Sequence, residues 1–184
     1  MTRCQDSTVC LKNTKKWRNN QLGSWEGGKP EVCAWIRSNF PPDSVILDVG
    51  ACDGKWRQLL GEYCMDAVEA FGPNAWKLRG YRKVYHIDVC EFAYDWYDLI
   101  IFGDVIEHMK VEDAQEVLEY ARPRCRDMIV SVPFLLPQGA VYGNPYEVHI
   151  QDDLTEQLFE ERYPGFTELF SPEWNYKYYH KKEE

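Results

Sequence analysis

The chain has 184 residues, 45% of them apolar, and a formal net charge of −9. That length supports one hydrophobic core, and the apolar fraction excludes a disordered chain. No apolar run approaches the ~20 residues of a membrane span, and the acidic balance argues against nucleic acid as the main partner, because phosphate contacts need a basic surface.

Residues 1–20 are polar, carry Arg3, Lys12, Lys15, Lys16 and Arg18, and lack the apolar stretch of a signal peptide. Residues 1–29 read as an N-terminal arm or lid, with Trp17 and Trp25 as packing anchors, and residues 30–184 as one domain. The seven cysteines are scattered, without a C-x-x-C pair. That pattern predicts reduced thiols in a cytoplasmic protein, with neither a disulfide framework nor a metal centre.

Val32, Trp35 and Ile36 recur at helical spacing before Pro41 and Pro42, which predicts a helix over 30–39. Residues 44–50 form a short apolar run ending in Gly50, the pattern of a buried strand. Helical spacing returns at Trp56, Leu59, Leu60 and Tyr63. Strands are predicted over 65–69, 83–89, 97–102 and 127–132, with helices over 74–81 and 111–121 between them. A long loop containing glycine and proline follows from 133 to about 150. Leu154, Leu158 and Phe159 mark a last helix, with Asp152 or Asp153 as its expected N-cap. Strands over 166–170 and 176–181 flank a turn at 172–175 and must form a hairpin, since no helix separates them. The alternation predicts an α/β fold: a three-layer, doubly wound, mainly parallel seven-stranded sheet with a C-terminal antiparallel hairpin and helices on both faces.

In such a sheet ligands sit at the carboxyl ends of the strands. The first end reads Asp48-Val-Gly-Ala-Cys-Asp-Gly54 and runs into a helix, so its backbone can turn tightly and present N–H groups. Only Gly50 matches the dinucleotide spacing G-x-G-x-x-G, which disfavours a nicotinamide oxidoreductase. The run fits G-x-G-x-G better, with Gly50 and Gly54 outermost and Cys52 in the middle place. Glu69 ends the second strand, where a carboxylate can accept both hydroxyls of a ribose. Asp88 ends the third, placed for an adenine amino group. The fourth end is Gly103-Asp-Val-Ile-Glu-His108.

Together these segments resemble the class I, Rossmann-like S-adenosylmethionine (SAM)-dependent methyltransferases of the small-molecule group, over residues 29–184 and in the right order. The resemblance implies that Gly50 and the Ala51 backbone lie along the methionine part of SAM, that Cys52 and Gly54 complete the cofactor-binding turn, and that Asp48 helps hold the SAM amino group. It implies Glu69 on the ribose, Asp88 on the adenine amine, Phe71 or Val89 beside the ring, and Asp104 nearest the reacting centre. Cys52 departs from the family's middle glycine, and its side chain would crowd the ligand.

His108 and His149 are the candidate general bases, since histidine titrates near neutral pH. Glu147 is a third candidate. Glu107 can pair with either histidine, and Tyr146 can line the acceptor pocket, whereas His86 and His180 read as structural. The expected function is methyl transfer from SAM to an O or N atom of a small-molecule acceptor. The alternatives are a catalytically inactive SAM-fold binding module and a protein methyltransferase. Nothing in the sequence fixes an oligomeric state.

Overall fold

The computed structural model describes residues 26–173 and 175–182. Most of the predicted arm, including Trp17 and Trp25, lies outside the described residues, as do Cys4 and Cys10.

The strands are β1 (Val45–Val49), β2 (Cys64–Val68), β3 (Lys83–Tyr85), β4 (Tyr97–Gly103), β5 (Cys125–Pro133), β6 (Thr167–Glu173) and β7 (Tyr176–Lys182). They form one sheet in the order β3-β2-β1-β4-β5-β7-β6. The first five run parallel, and β7 lies antiparallel between β5 and β6. The chain winds outward from β1 to β3 and then returns to β4 on the other side of β1. The switch point of the sheet therefore lies between the ends of β1 and β4, where a doubly wound fold opens its binding crevice.

Strand alternation builds two cores. Leu99 and Ile101 of β4 face Val32, Cys33 and Ile36 of α1 (Lys29–Asn39), with Trp56 of α2 (Lys55–Leu59). Ile100 and Phe102 face the opposite way, against Ala114, Val117 and Leu118 of α4 (Val111–Ala121) and Phe159 of α5 (Glu156–Arg162). Because both faces of β4 are covered, its sequence reads as an unbroken apolar run. The three-layer, mainly parallel sheet with its C-terminal hairpin agrees with the predicted architecture.

Three boundaries differ from expectation. The helix expected over 74–81 is a single turn, α3 (Gly72–Ala75), and the chain then bends through Gly80 at φ 81°. Strand β3 stops at Tyr85, and Asp88 instead caps a short 3-10 turn by accepting a hydrogen bond from Cys90 N at 3.0 Å. Helix α5 is capped by Thr155, whose Oγ1 accepts from Leu158 N at 3.1 Å, so neither Asp152 nor Asp153 is the cap.

One buried acid is structural. Asp66 on β2 takes two hydrogen bonds from the Arg82 guanidinium (2.8 and 2.6 Å) and one from Tyr97 Oη (3.1 Å). The fork geometry of the pair fixes the approach to β3. Among the described residues no helix is long and apolar enough to cross a membrane.

Candidate functional site

A cleft of about 1370 Å³ opens at the carboxyl ends of the parallel strands. Of the expected cofactor residues, Gly50, Cys52, Glu69, Asp88, Val89 and Asp104 line it. The expected catalytic residues His108, Glu147 and His149 line it too. Asp48, Ala51 and Gly54 sit behind its wall.

The β1 end is a backbone device. Gly50 has φ 68°, and a Cβ there would stand 2.6 Å from Val105 Cγ2. Only glycine satisfies both demands. Gly50 N and Ala51 N both donate to Val68 O, at 2.9 and 3.2 Å, which ties the turn to β2. Gly54, at φ 74°, then starts α2. Cys52 occupies the left-handed region with φ 46°, and its Sγ accepts from Asn74 Nδ2 at 3.7 Å. Burial pushes the Cys52 thiol up to about 12, which keeps it neutral at pH 7.

Glu69 staples two loops. Its Oε2 accepts from Cys52 N and its Oε1 from Phe71 N, each at 2.8 Å. Burial raises its pKa, and those two amides oppose the rise. Each oxygen keeps a further lone pair. Asp48 does not face the cleft: its Oδ2 accepts from Tyr81 Oη at 2.5 Å. Burial pushes the Asp48 carboxyl up to about 7, against the Tyr81 hydrogen bond and the nearby charge of buried Lys29.

At the end of β4, Gly103 gives Trp56 room, since a Cβ would meet its Nε1 at 2.5 Å. Asp104 follows with φ 58°. Its Oδ1 accepts from Tyr176 Oη and, at 3.4 Å, from Ser131 Oγ, whereas its Oδ2 is buried without a hydrogen-bond partner. Tyr176 belongs to β7, so the hairpin helps to fix a cleft acid. Glu107 is only 1% exposed, and neither carboxylate oxygen has a partner. Burial and the negative charge of Asp104 raise its pKa.

The two histidines meet over Glu107. Their ring centroids are 4.6 Å apart at 73°. His108 Nδ1 lies 3.2 Å from Val148 O, and His149 Nδ1 lies 2.6 Å from Leu136 O. Burial lowers the pKa of both, His108 to about 4, with His149 the second cause there. Both imidazoles are therefore neutral at pH 7.

The loop after β5 is knitted to this cluster. Ile150 N and Gln151 N donate to Glu107 O at 2.8 and 3.0 Å. Gln151 Nε2 donates to Ile106 O and Met109 O, and its Oε1 accepts from Tyr163 Oη at 2.9 Å. Asn144 Nδ2 donates to Glu147 Oε1 at 3.2 Å, and burial raises the Glu147 pKa. Around the mouth stand exposed Leu135, Tyr142, Tyr146 and Ile150. At the arm side Glu26, paired with Lys55 Nζ at 2.5 Å, also borders the cleft. Sequence reasoning missed Gln151, Tyr81 and Tyr176, whose roles depend on contacts between distant segments.

No family model and no curated protein sequence matches the chain. Solved structures do. The magnesium protoporphyrin IX methyltransferase (ChlM) from Synechocystis, with bound SAM, superposes with a TM-score of 0.62 at 13% identity, over 98% of both chains. The N-terminal domain of EvdMO1, with S-adenosylhomocysteine (SAH) bound, gives 0.64 at 12% identity, also over 98% of both chains. The 1,6-didemethyltoxoflavin-N1-methyltransferase of Burkholderia thailandensis gives 0.61 at 16% identity, over 94% of this chain and 83% of that one. The fold is the Rossmann-like fold of SAM-dependent methyltransferases.

Proposed function

We propose that the protein transfers the methyl group of SAM to an oxygen or nitrogen atom of a small-molecule acceptor. One observation carries this reading: a single cleft at the switch point joins a clamped carboxylate, Glu69, to a cluster of neutral imidazoles, His108 and His149. The residues present fit an adenosyl group. Glu69 keeps one lone pair on each oxygen for a pair of ribose hydroxyls. Asp88 uses one oxygen on Cys90 N and has a second for an amino group. Half-buried Ile87 and Val89 offer apolar surface for a purine ring. The unpartnered Oδ2 of Asp104 suits the ammonium of the methionine part.

SAM supplies an activated methyl group, and the protein's task is orientation. Holding two reactants at near-attack distance is worth ~7–11 kcal/mol of barrier. His149, buried and neutral, is suited to accept a proton from an acceptor hydroxyl or amine, with His108 and Glu147 beside it. The apolar rim from Leu135 to Ile150 suits a flat organic acceptor, in keeping with neighbours named for a porphyrin and for didemethyltoxoflavin. The five described cysteines are free, in keeping with a cytoplasmic setting.

Calorimetric titration with SAH, followed by incubation with labelled SAM and a panel of hydroxylated and amino aromatic acceptors, tests the proposal. Absence of SAH binding by the folded protein would end it. Cys52, a cleft-lining residue at φ 46° in place of the family's glycine, favours a second reading, a binding module without turnover. Tight SAH binding with no label transferred to any acceptor points to that module.

A further inference from the structure

We propose that Glu107, His108 and His149 form a binding site for one divalent transition-metal ion at the acceptor end of the cleft. Each offers a ligand atom, and the three atoms lie within 4.8 Å of one another. Two imidazoles and a carboxylate are a donor set suited to Mn²⁺, Fe²⁺, Co²⁺ or Zn²⁺ rather than to Ca²⁺ or Mg²⁺.

Three further observations point the same way. First, Glu107 is 1% exposed, yet neither oxygen accepts a hydrogen bond. Buried carboxylates are normally satisfied, so one aimed into a cleft without a partner calls for a ligand. A simple Glu–His pair does not explain it, because an imidazole N–H would then donate to the carboxylate. Second, both Nδ1 atoms instead stand at backbone carbonyls, Val148 O and Leu136 O. Donation of Nδ1–H there selects the tautomer whose Nε2 is the free base, the orientation usual for a metal-bound histidine. Third, the charges around Glu107 are those of Asp104 and Glu147, both acids. A dication offsets that crowding.

Two of the ligands follow β4, and the third comes from the loop after β5. That loop is anchored to Glu107 O by the amides of Ile150 and Gln151. The same hydrogen bonds that close the loop thus bring His149 to the pair. An ion held by three protein atoms keeps open positions, and all three residues line the cleft. Resting on the methyltransferase reading, the ion's role is to seat an acceptor through its hydroxyl oxygen, which favours oxygen over nitrogen as the methylated atom; with both imidazole Nε2 atoms on the ion, the hydroxyl proton passes to the Glu147 carboxylate, which lines the same cleft, rather than to His149.

The test uses the full chain, stripped with chelator and titrated with Mn²⁺ while free ion is followed by electron paramagnetic resonance. One ion per chain should leave solution, and Co²⁺ should give a visible absorption band that shifts when a catechol-type diol is added. Glu107→Gln and His149→Asn should each weaken Mn²⁺ binding by more than about tenfold, with SAH affinity retained as proof of folding. No uptake of Mn²⁺ or Co²⁺, or wild-type affinity in Glu107→Gln, would overturn the site. SAH titration of metal-free protein separates the two claims. SAH binding without ion uptake removes only the ion site, whereas ion uptake without SAH binding removes only the methyl-transfer reading.

Discussion

Replacing Glu69 by alanine tests the cofactor end of the cleft, because this carboxylate has two separable jobs. It holds the amides of Cys52 and Phe71 at 2.8 Å each and has one lone pair per oxygen left for a ligand. Hydrogen bonds to a charged group are worth ~1.5–3 kcal/mol. Losing both amide contacts is partly offset by relief of the burial that raises the Glu69 pKa. A net loss of ~2 kcal/mol lowers Tm by roughly 4–8 °C for a domain of this size. Loss of the ribose contacts costs a further ~1.5–3 kcal/mol of binding, or roughly 10–150-fold in the Kd for SAH. Glu69→Gln keeps one acceptor oxygen and should fall between wild type and Ala in both respects. Calorimetric titration with SAH and thermal unfolding by circular dichroism measure the two quantities. A folded Glu69→Ala protein with a Kd within twofold of wild type would refute the assignment of Glu69 as a ligand residue.

Three other substitutions probe the wall behind the cleft. Gly50→Ala places a Cβ 2.6 Å from Val105 Cγ2 at φ 68°, and should cost ~1–3 kcal/mol in urea unfolding; an unchanged midpoint would contradict the geometry. Cys52→Gly relieves a left-handed conformation worth ~1 kcal/mol but loosens the unfolded chain by a similar amount, so stability should stay within about 0.5 kcal/mol. Its SAH affinity should hold or rise, and a tenfold fall would show that the thiol contacts the ligand. Asp48→Asn tests the buried acid whose folded pKa is raised to about 7. A raised folded value means that the folded state holds the proton longer. Asp48's contribution is therefore fully present below about pH 4 and is lost as pH rises to 7. The difference between wild-type and Asp48→Asn stability should shift by on the order of 2–4 kcal/mol across that window, in favour of Asn at high pH. Parallel profiles between pH 4 and 7 would show that Asp48 is already ionised in the folded protein at low pH.

The strands were legible because their burial is two-sided. Residues 97–103 and 127–132 are apolar almost throughout, and the structure covers both faces of each. The short elements were not. Residues 74–81 carry a helical pattern, but Gly80 at φ 81° breaks it, and a tertiary bend of that kind leaves no periodicity to read. Thr155 displaced Asp152 and Asp153 as the cap because capping depends on which side chain reaches the third amide of the helix, not on which acid comes first. Within the site, residues at strand ends could be read off in order. The partners that orient them could not. Tyr81 reaches Asp48 from the far side of β2, Tyr176 reaches Asp104 from the hairpin, and Gln151 reaches Ile106 across the loop. Asp48 shows the limit of position alone: it stands at the strand end beside the cleft, yet its side chain points behind the wall.

The electrostatics of the cleft explain why so many acids tolerate one another there. Glu69, Asp104, Glu107 and Glu147 all line it, and each of the last three acids appears among the causes that raise another's pKa or has its own raised by such a neighbour. Such crowding destabilises the ligand-free protein, since burial and like charge both oppose ionisation. Protonation of the carboxyls relieves it in the ligand-free protein, and a bound cation relieves it with the carboxylates ionised. On the proposed reading the SAM cation and a divalent ion both answer that description, with Asp104 at the carboxyl end of β4 beside the first and Glu107 with the histidines, in the turn that follows, holding the second. Either ligand that binds only the folded state adds to its stability in proportion to the logarithm of its concentration over Kd. The two should also bind cooperatively only so far as their charges are screened from one another, because two cations in one acidic cleft repel. If the proposed ion and methyl transfer both hold, an acceptor oxygen that has lost its proton would stand between the two cations and remove that repulsion, which would match the cleft's surplus of negative charge to the assembled complex rather than to either cation alone.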